Sequence, residues 1–220
     1  MSEQPNDIAR ILDEAVAIIG PQRNKGLEGP LYSFMRRYGP MFCADVVLVP
    51  ENFNPSVILA KRNNKGVAPG QYWIFGGRVD KGLDYVKVAE TKTKGEIGLD
   101  VPLSQSDIIG FGRTYFSPDL NEERQRNHDI ATPNICFAKQ IPITKEAYDK
   151  IHPADGHEQV WNVFEQIESS WHPYIIHAVA TAWNRFYPHA SWKSSVSEPV
   201  RKVLADKSHF APLRYENIGF

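Results

Sequence analysis

The segment from Tyr72 to Gly98 constrains the fold more than any other part of the chain. It reads as an apolar run, "YWIF", the pair Gly76-Gly77, a short polar loop and a stretch in which apolar residues recur at helical spacing. Asp84 is a residue type that caps helix starts, and Gly98 is the type that commonly ends helices. We therefore predict a strand, a glycine turn and a helix from Asp84 to about Ile97. The side chains predicted to face the core are Val86, Ala89, Thr93 and Ile97.

The remaining sequence alternates between strand-like and helix-like runs. Strands are predicted in "MFCADVVLV", "SVILAKR", "DIIGFGRTYF", "PNICFAKQI" and "HEQVWNVFE", and helices in "NDIARILDEAVAIIG", "TKEAYDKIH", "PYIIHAVATAWNRFY" and "EPVRKVLADK". This order is typical of an α+β fold in which helices sandwich a mixed sheet. We expect a helical extension over 1–40, the sheet domain over 41–188, and a tail over 189–220 that contains a further helix.

Composition argues against several classes of function. The 220 residues carry a net charge of −1, whereas general nucleic-acid binding needs an excess of Lys and Arg. No apolar run approaches the ~20 residues of a membrane span, and the polar, acidic first residues lack a signal-peptide pattern. Cys43 and Cys136 lie in apolar runs without metal-ligand spacing, as buried thiols in a reducing compartment do. We expect a cytoplasmic protein without nucleic-acid or membrane partners.

Two arginines near the glycine pair indicate a site for an anionic ligand. Gly76 and Gly77 have no Cβ, so a ligand can come close to their backbone. Arg78 follows them directly and Arg62 ends the preceding strand, and a guanidinium fork suits phosphate oxygens. A diphosphate site is one interpretation. A tight turn with solvated basic residues is the other.

One face of the predicted helix carries a single potential metal ligand. Positions 92, 95 and 96 share that face, and three carboxylates there would suit Mg²⁺, which prefers oxygen ligands. The residues are Lys92, Gly95 and Glu96, so only Glu96 can bind a metal. The alternative for Glu96 is an exposed salt bridge with Lys92, worth at most ~1 kcal/mol.

This arrangement resembles the box of the Nudix hydrolase family, a strand, a glycine-opened loop and a helix bearing Arg-Glu-x-x-x-Glu-Glu-x-Gly. The positions that match it are Gly77, Glu96, Gly98 and Leu99. The positions that depart from it are Leu83, Thr91, Lys92 and Gly95, where the family has a glutamate, the arginine, the catalytic glutamate and the first paired glutamate. Closer still is the resemblance to the GDP-mannose mannosyl hydrolase branch, carried by "DVVLVPEN", "AKRNN", "GQYWIFGGRV" and "KGEIGL".

The resemblance implies a role for each matching residue. Glu96 and the Gly76 carbonyl would hold Mg²⁺ or Mn²⁺, Arg62 and Arg78 would hold the diphosphate, and Asp45 would belong to the same site. In that branch water attacks the sugar C1 carbon with inversion, and the nucleoside diphosphate leaves.

Two further roles are expected beside that set. The general base of the branch is a late-loop histidine, for which His157 is the nearest match. The preceding metal-binding glutamine is absent, because Gly156 stands there. Lys92 would add a positive charge that neutralises phosphate.

The expected function is Mg²⁺-dependent hydrolysis of a nucleoside diphosphate sugar, with a small nucleoside diphosphate derivative as the only partner apart from a second copy of the chain. Two alternatives stay open. One is a Nudix-fold module that binds a nucleotide without catalysis or regulates a partner, and the other is a pyrophosphohydrolase of another nucleoside diphosphate compound. The predicted terminal helices could form a homodimer interface.

Overall fold

The structure, a computed structural model, describes residues 42–51, 54–62, 70–79, 83–114, 132–142 and 161–213. The strands of this part of the chain are β1 (Cys43–Pro50), β2 (Val57–Lys61), β3 (Tyr72–Trp73), β4 (Phe75–Arg78), β5 (Ile108–Thr114), β6 (Thr132–Ile141), β7 (Trp161–Phe164) and β8 (Phe210–Pro212). The α-helices are α1 (Tyr85–Ile97), α2 (Pro173–Phe186), α3 (Trp192–Ser195) and α4 (Glu198–Ala205), and a short 3₁₀ turn spans Gln105–Asp107.

All of these strands belong to one mixed sheet whose centre is β1. The order across the sheet is β3-β2-β1-β6-β5-β8, while β4 also pairs with β1 and β7 also pairs with β2. The β1–β6 pair is parallel and in register along its whole length, and the other pairs are antiparallel. Strand β1 is consequently bordered on both sides and buried, as its apolar run predicts.

The two faces of β1 contribute to two hydrophobic clusters. Ala44, Val46 and Leu48 pack with the buried side of α1, whereas Val47 and Val49 pack in the cluster that contains α2. This alternation follows from the two-residue repeat of a strand. The α+β prediction of a mixed sheet between helices is confirmed. By the same alternation, Asp45 lies on the α2 side of the sheet.

The helix α1 begins and ends where the sequence predicts. Asp84 accepts hydrogen bonds from the amides of Val86 and Lys87, and Gly98 ends the helix in the left-handed conformation at φ 74°. Its buried side chains are Val88, Ala89, Thr93 and Ile97. Val86 was expected among them but is only partly buried, since the face turned to the sheet is rotated toward Val88.

The glycine pair differs from the prediction. Gly76 and Gly77 were expected in a turn, but they lie inside β4, opposite Asp45 and Ala44 of β1. The predicted strand "YWIF" is interrupted at Ile74 and continues through the glycines to Arg78. The physical reason is that β1 offers a free stretch of edge beyond β2, and the glycines pair with it.

The end of the chain also contributes to the sheet. The helix predicted in "EPVRKVLADK" is present as α4, and β8, which was not predicted, pairs with β5. The first predicted helix and the helix in "TKEAYDKIH" lie outside the described residues, so the boundaries at 40 and 188 stay predictions. No helix in the described ranges is both long and apolar enough to cross a membrane.

Candidate active site

Strand β4 brings backbone against backbone at Gly76. Its φ of 125° is a conformation that L side chains rarely adopt, and a Cβ there would lie 2.2 Å from the carbonyl oxygen of Ala44. Gly77 lies beside the side chain of Lys92 on α1. A Cβ on Gly77 would be 3.8 Å from the aliphatic stem of that lysine, an ordinary van der Waals distance. Packing against β1 therefore requires glycine at position 76, while the contact at Gly77 shows that Lys92 lies beside β4.

Glu96 reaches from α1 to this strand. Its Oε2 accepts a hydrogen bond from the amide of Gly76 at 3.0 Å, and the side chain is half-buried. Burial raises the pKa of Glu96 to about 7, opposed by that hydrogen bond and by Arg62. The Glu96 carboxylate is thus bound to the backbone of β4. This contact argues against the exposed salt bridge considered from the sequence.

Asp45 is buried at the centre of the same region, with 5% of its surface exposed. Its Oδ2 accepts a hydrogen bond of 2.9 Å from the hydroxyl of Tyr174, the second residue of α2. Burial raises the pKa of Asp45 to about 7, while Tyr174 and Arg62 act in the opposite direction. A carboxyl with a pKa near neutrality is unusual in a structural position and common in functional sites.

Arg62 interacts electrostatically with both of these carboxylates. Burial lowers its pKa, and the charges of Asp45 and Glu96 oppose that shift. Its guanidinium carbon lies 4.8 Å from the centre of the Trp73 ring, a cation–π contact. The backbone is fixed as well, because Arg62 N–H donates to the Gln71 carbonyl at 2.9 Å. The position of Arg62 is therefore determined by its backbone hydrogen bond to Gln71 and by the Trp73 indole.

Arg78 ends β4 opposite Cys43. It is half-buried, and its charge lowers the pKa of the Cys43 thiol. Burial and Asp45 dominate at that thiol and raise its pKa to about 12, so Cys43 is a neutral neighbour and not a nucleophile. Lys92 extends the positive side of the site, since its charge lowers the pKa of Glu96.

The structure thus brings together most of the residues singled out from the sequence. They are Asp45, Arg62, Gly76, Arg78, Lys92 and Glu96. The expected base, His157, lies outside the described residues.

Two contributors were missed by sequence reasoning. Tyr174 gave no signal beyond an aromatic residue after a helix-starting proline, and its pairing with Asp45 spans 129 positions. Trp73 was predicted only as part of the apolar strand "YWIF", and its cation–π contact with Arg62 was not foreseen.

The donor set is poor in metal ligands. Within the described ranges, no group of three or more His, Cys, Asp and Glu side chains is arranged to hold a metal ion. What the site does offer is one buried carboxylate, Asp45, a half-buried carboxylate and guanidinium, Glu96 and Arg62, two flanking cations and a half-buried stretch of glycine backbone. Such an arrangement can bind a polyanion on its cationic groups and a hard cation on its oxygen atoms.

Comparison with known proteins gives matches at the level of solved structures. No family model matches the sequence, and no curated protein matches it. A MutT protein from Methanosarcina mazei Go1 is similar at 11% identity and a TM-score of 0.42, covering 74% of this chain and 93% of its own. A MutT NUDIX hydrolase from Burkholderia pseudomallei gives 12% identity and a TM-score of 0.47, with 64% and 97% covered. A mutT/nudix family protein from Listeria innocua gives 22% identity and a TM-score of 0.36, with 57% and 79% covered.

Proposed function

We propose that the protein is a Nudix-type hydrolase of a nucleoside diphosphate compound, and that its substrate is a nucleoside diphosphate sugar of the GDP-mannose kind. The observation that carries this proposal is the group formed by the buried Asp45 and the half-buried Arg62 and Glu96 beside the Gly76 backbone. The Arg62 guanidinium suits a bound diphosphate, and the two carboxylates beside the glycines of β4 suit a metal cation that accompanies it. The sequence resemblance supports the same reading.

The cationic side chains would hold and stabilise the leaving diphosphate. Arg62 is positioned by Trp73 and by its own backbone, so its fork would lose little freedom on binding. Arg78 would contact the other phosphate from the end of β4, and Lys92 would neutralise charge from α1. Negative charge grows on the phosphates as the glycosidic bond breaks, and preorganised cations stabilise that charge.

The oxygen ligands fit a single Mg²⁺ or Mn²⁺ ion. Glu96 would supply a carboxylate oxygen and Gly76 its carbonyl, and both lie at one place because the Gly76 amide binds Glu96. The pKa values of Asp45 and Glu96 are both raised, so the positive groups nearby do not fully balance their negative charge. A hard cation would balance it. When bound, the ion would supply further neutralisation of the diphosphate.

Water activation must come from a group outside this cluster. Glu96 is assigned to the metal ion and Asp45 is 5% exposed, so we look for the base among the other residues. We assign the general base to His157, because histidine is the side-chain type whose unperturbed pKa lies near neutrality. Attack would then occur at the sugar C1 carbon, and the nucleoside diphosphate would leave with both phosphates intact.

One observation favours a second function, a binding module without catalysis. The helix face that carries several carboxylates in the Nudix box carries Lys92 and Gly95 here, and the described residues hold no three-ligand metal cluster. Such a module would still bind a nucleoside diphosphate through Arg62 and Arg78. Turnover, not binding, distinguishes the two functions.

The deciding experiment is a screen of nucleotide sugars with Mg²⁺ or Mn²⁺ that measures free sugar and nucleoside diphosphate separately. For a cleaved substrate, ¹⁸O-labelled water should place the label on the sugar. His157→Ala should reduce turnover by roughly 10²–10⁴-fold, the usual contribution of general acid–base catalysis. His189→Ala, which changes an exposed histidine, is the matched control and should keep full activity.

Three results would change the assignment. Label on the phosphate would mean attack at phosphorus and a pyrophosphohydrolase. An unchanged rate in His157→Ala would remove that residue from the mechanism. Micromolar binding of a nucleotide sugar without any turnover would establish the binding module.

The number of metal ions can be tested separately. Crystals soaked with Mn²⁺ and GDP should show one anomalous peak beside Glu96, because only one carboxylate remains on that helix face. Two peaks, or one remote from Glu96, would contradict the ligand assignment.

A further inference from the structure

A cavity apart from the candidate active site lies where α2, α3 and α4 meet. It has a volume of about 840 Å³, within the range of small-molecule sites. Its walls come from the middle and end of α2, from α3 and α4, and from the β5 and β8 edge of the sheet. None of the residues that line it belongs to the Asp45, Arg62 and Glu96 cluster.

The floor of this cavity is apolar. It is formed by side chains of the sheet edge and of the surrounding helices, namely Ile109, Ala180, Trp192, Val196, Leu204 and Pro212. The walls are fixed in place, because the Nε2–H of His177 donates to the Val203 carbonyl at 2.9 Å and so joins α2 to α4. Trp192 is held edge-on against Trp183. The cavity is therefore formed before any ligand enters.

The rim is cationic. Its charged side chains are Arg185, Lys193, Arg201 and Lys207, and no carboxylate occurs among the described residues that line it. Arg201 is anchored by its Nε–H to the Val196 carbonyl at 3.0 Å, and Lys193 lies 5.8 Å from the Trp192 ring centre.

The described acidic groups near the rim are Asp107 and Asp206, and each has partners of its own. Asp107 lies 4.0 Å from Arg185, but it is closer to Lys139, at 3.2 Å. Asp206 accepts from the Ser208 amide and lies 3.9 Å from His209. Within the described ranges Arg185 has an acidic neighbour, whereas no ion pair is described for the other three rim cations, Lys193, Arg201 and Lys207.

We propose that this cavity binds an amphipathic anion, a small molecule with an apolar body and a carboxylate, sulfonate or phosphate head. The body would displace water from the floor, and the head would lie among Lys193, Arg201 and Lys207 at the rim. Neither half is sufficient by itself. An apolar molecule leaves the cations unpaired, and an inorganic anion leaves the floor hydrated.

The probe for this site is 8-anilinonaphthalene-1-sulfonate, which has both features and fluoresces in apolar surroundings. We expect saturable binding of one probe molecule per chain. Octanoate and phenyl phosphate should each displace it, and the better competitor indicates whether the natural body is aliphatic or aromatic. Octanol, which lacks the charge, should compete at least 5-fold less well than octanoate, on the order of what two weak charge contacts contribute.

Two variants locate the probe. Lys193→Gln/Arg201→Gln should weaken its affinity about 5-fold or more, whereas the charge-matched control Lys87→Gln/Lys94→Gln, on α1 and outside the cavity lining, should not. Ala205→Trp fills the cavity from an exposed position at the end of α4, so it removes no core contact and tests the site even if the double variant folds poorly.

Failure has a clear signature. Probe binding that is absent, or unchanged in both the rim variant and Ala205→Trp, would overturn the proposal. Equal competition by octanol and octanoate would show an apolar site without anion recognition and would also overturn it. GDP binding is unaffected by these outcomes, so the test is independent of the proposed catalytic function.

Discussion

Two buried aspartates differ in how fully their charge is compensated. Asp45 and Asp107 are 5% and 6% exposed. Asp107 accepts from the Ser104 amide at 2.8 Å and from the Ser104 hydroxyl at 2.9 Å, and Lys139 Nζ lies 3.2 Å from both of its oxygens. Asp45 accepts one described hydrogen bond, from Tyr174.

The difference separates a carboxylate that stabilises the fold from one that is available to a ligand. Asp107 connects the 3₁₀ turn to β6 and is saturated with donors, as buried charges in structural roles are. Asp45 has its pKa raised to about 7 by burial, and its positive neighbour, Arg62, is shared with Glu96. The charge at Asp45 is therefore costly in the unliganded protein, and a bound cation or ordered diphosphate complex would reduce that cost.

The largest expected effect comes from Gly76, the residue opposite Asp45. In Gly76→Ala, the new Cβ would lie 2.2 Å from the Ala44 carbonyl oxygen and 2.8 Å from the Asp45 Cα, at a positive φ. Both are backbone atoms of the central strand, so neither can move cheaply. We expect the free energy of unfolding to fall by about 3–5 kcal/mol, from overpacking and backbone strain together. Urea denaturation followed by circular dichroism measures it.

Gly95→Ala is the control for that variant. Gly95 is exposed on α1 and a Cβ there meets nothing within 4 Å, so alanine should stabilise the protein by about 0.5–1 kcal/mol through its helix propensity. Should Gly76→Ala cost less than 1 kcal/mol, β4 does not pack on β1 as described, and the environment of Asp45 would need another explanation.

The next effect compares the two aspartates directly. Asp45→Asn keeps an oxygen for Tyr174 and removes a buried charge, so it should raise the free energy of unfolding at pH 8 by on the order of 2–4 kcal/mol. Asp107→Asn should lower it by about 1–3 kcal/mol, since Lys139 would lose its counter-charge.

The raised pKa of Asp45 predicts how the stability gain of Asp45→Asn changes with pH. The pKa of Asp45 rises from 3.8 in the unfolded chain to about 7 in the folded protein. Its contribution to stability is therefore complete below pH 4 and is lost as the pH rises through about 7. The gain in Asp45→Asn should accordingly vanish near pH 4 and be full above pH 7. Thermal unfolding across this range would contradict the assignment if the gain did not change with pH.

The sequence predicts the helices and strands that surround this site better than it predicts the side-chain contacts within it. Local signals, such as Asp84 and Gly98 at the ends of α1 or the apolar run of β1, act within a few residues, and the structure confirms them. The extension of β4 through the glycines depended on the open edge of β1, which no local pattern encodes. The Tyr174 contact with Asp45 depends on where α2 crosses the sheet.

Ligand binding should depend on the cations near Asp45 and not on those near Asp107. Arg78→Ala is expected to weaken GDP binding by about 1.5–3 kcal/mol, the range for hydrogen bonds to charged groups, with little change in stability. Lys139→Ala, which removes the main partner of Asp107, should lower stability and leave GDP binding unchanged. Isothermal titration calorimetry and thermal unfolding of both variants decide this. A large loss of stability with normal binding in Arg78→Ala would make Arg78 structural.

The smallest effect concerns the described hydrogen bond that the Asp45 side chain accepts from Tyr174. Tyr174→Phe removes a donor that lowers the pKa of Asp45, so its cost should grow as that carboxyl ionises, from about 1 kcal/mol at pH 5 to about 2 kcal/mol at pH 9. Tyr187→Phe is a matched control, because the Tyr187 hydroxyl donates to the neutral Pro50 carbonyl at 2.8 Å and its loss should cost about 1 kcal/mol at either pH. Urea denaturation of both variants at the two pH values measures the difference. Parallel curves would mean that Asp45 does not ionise in this range, and the contrast with Asp107 would then rest on hydrogen bonds alone.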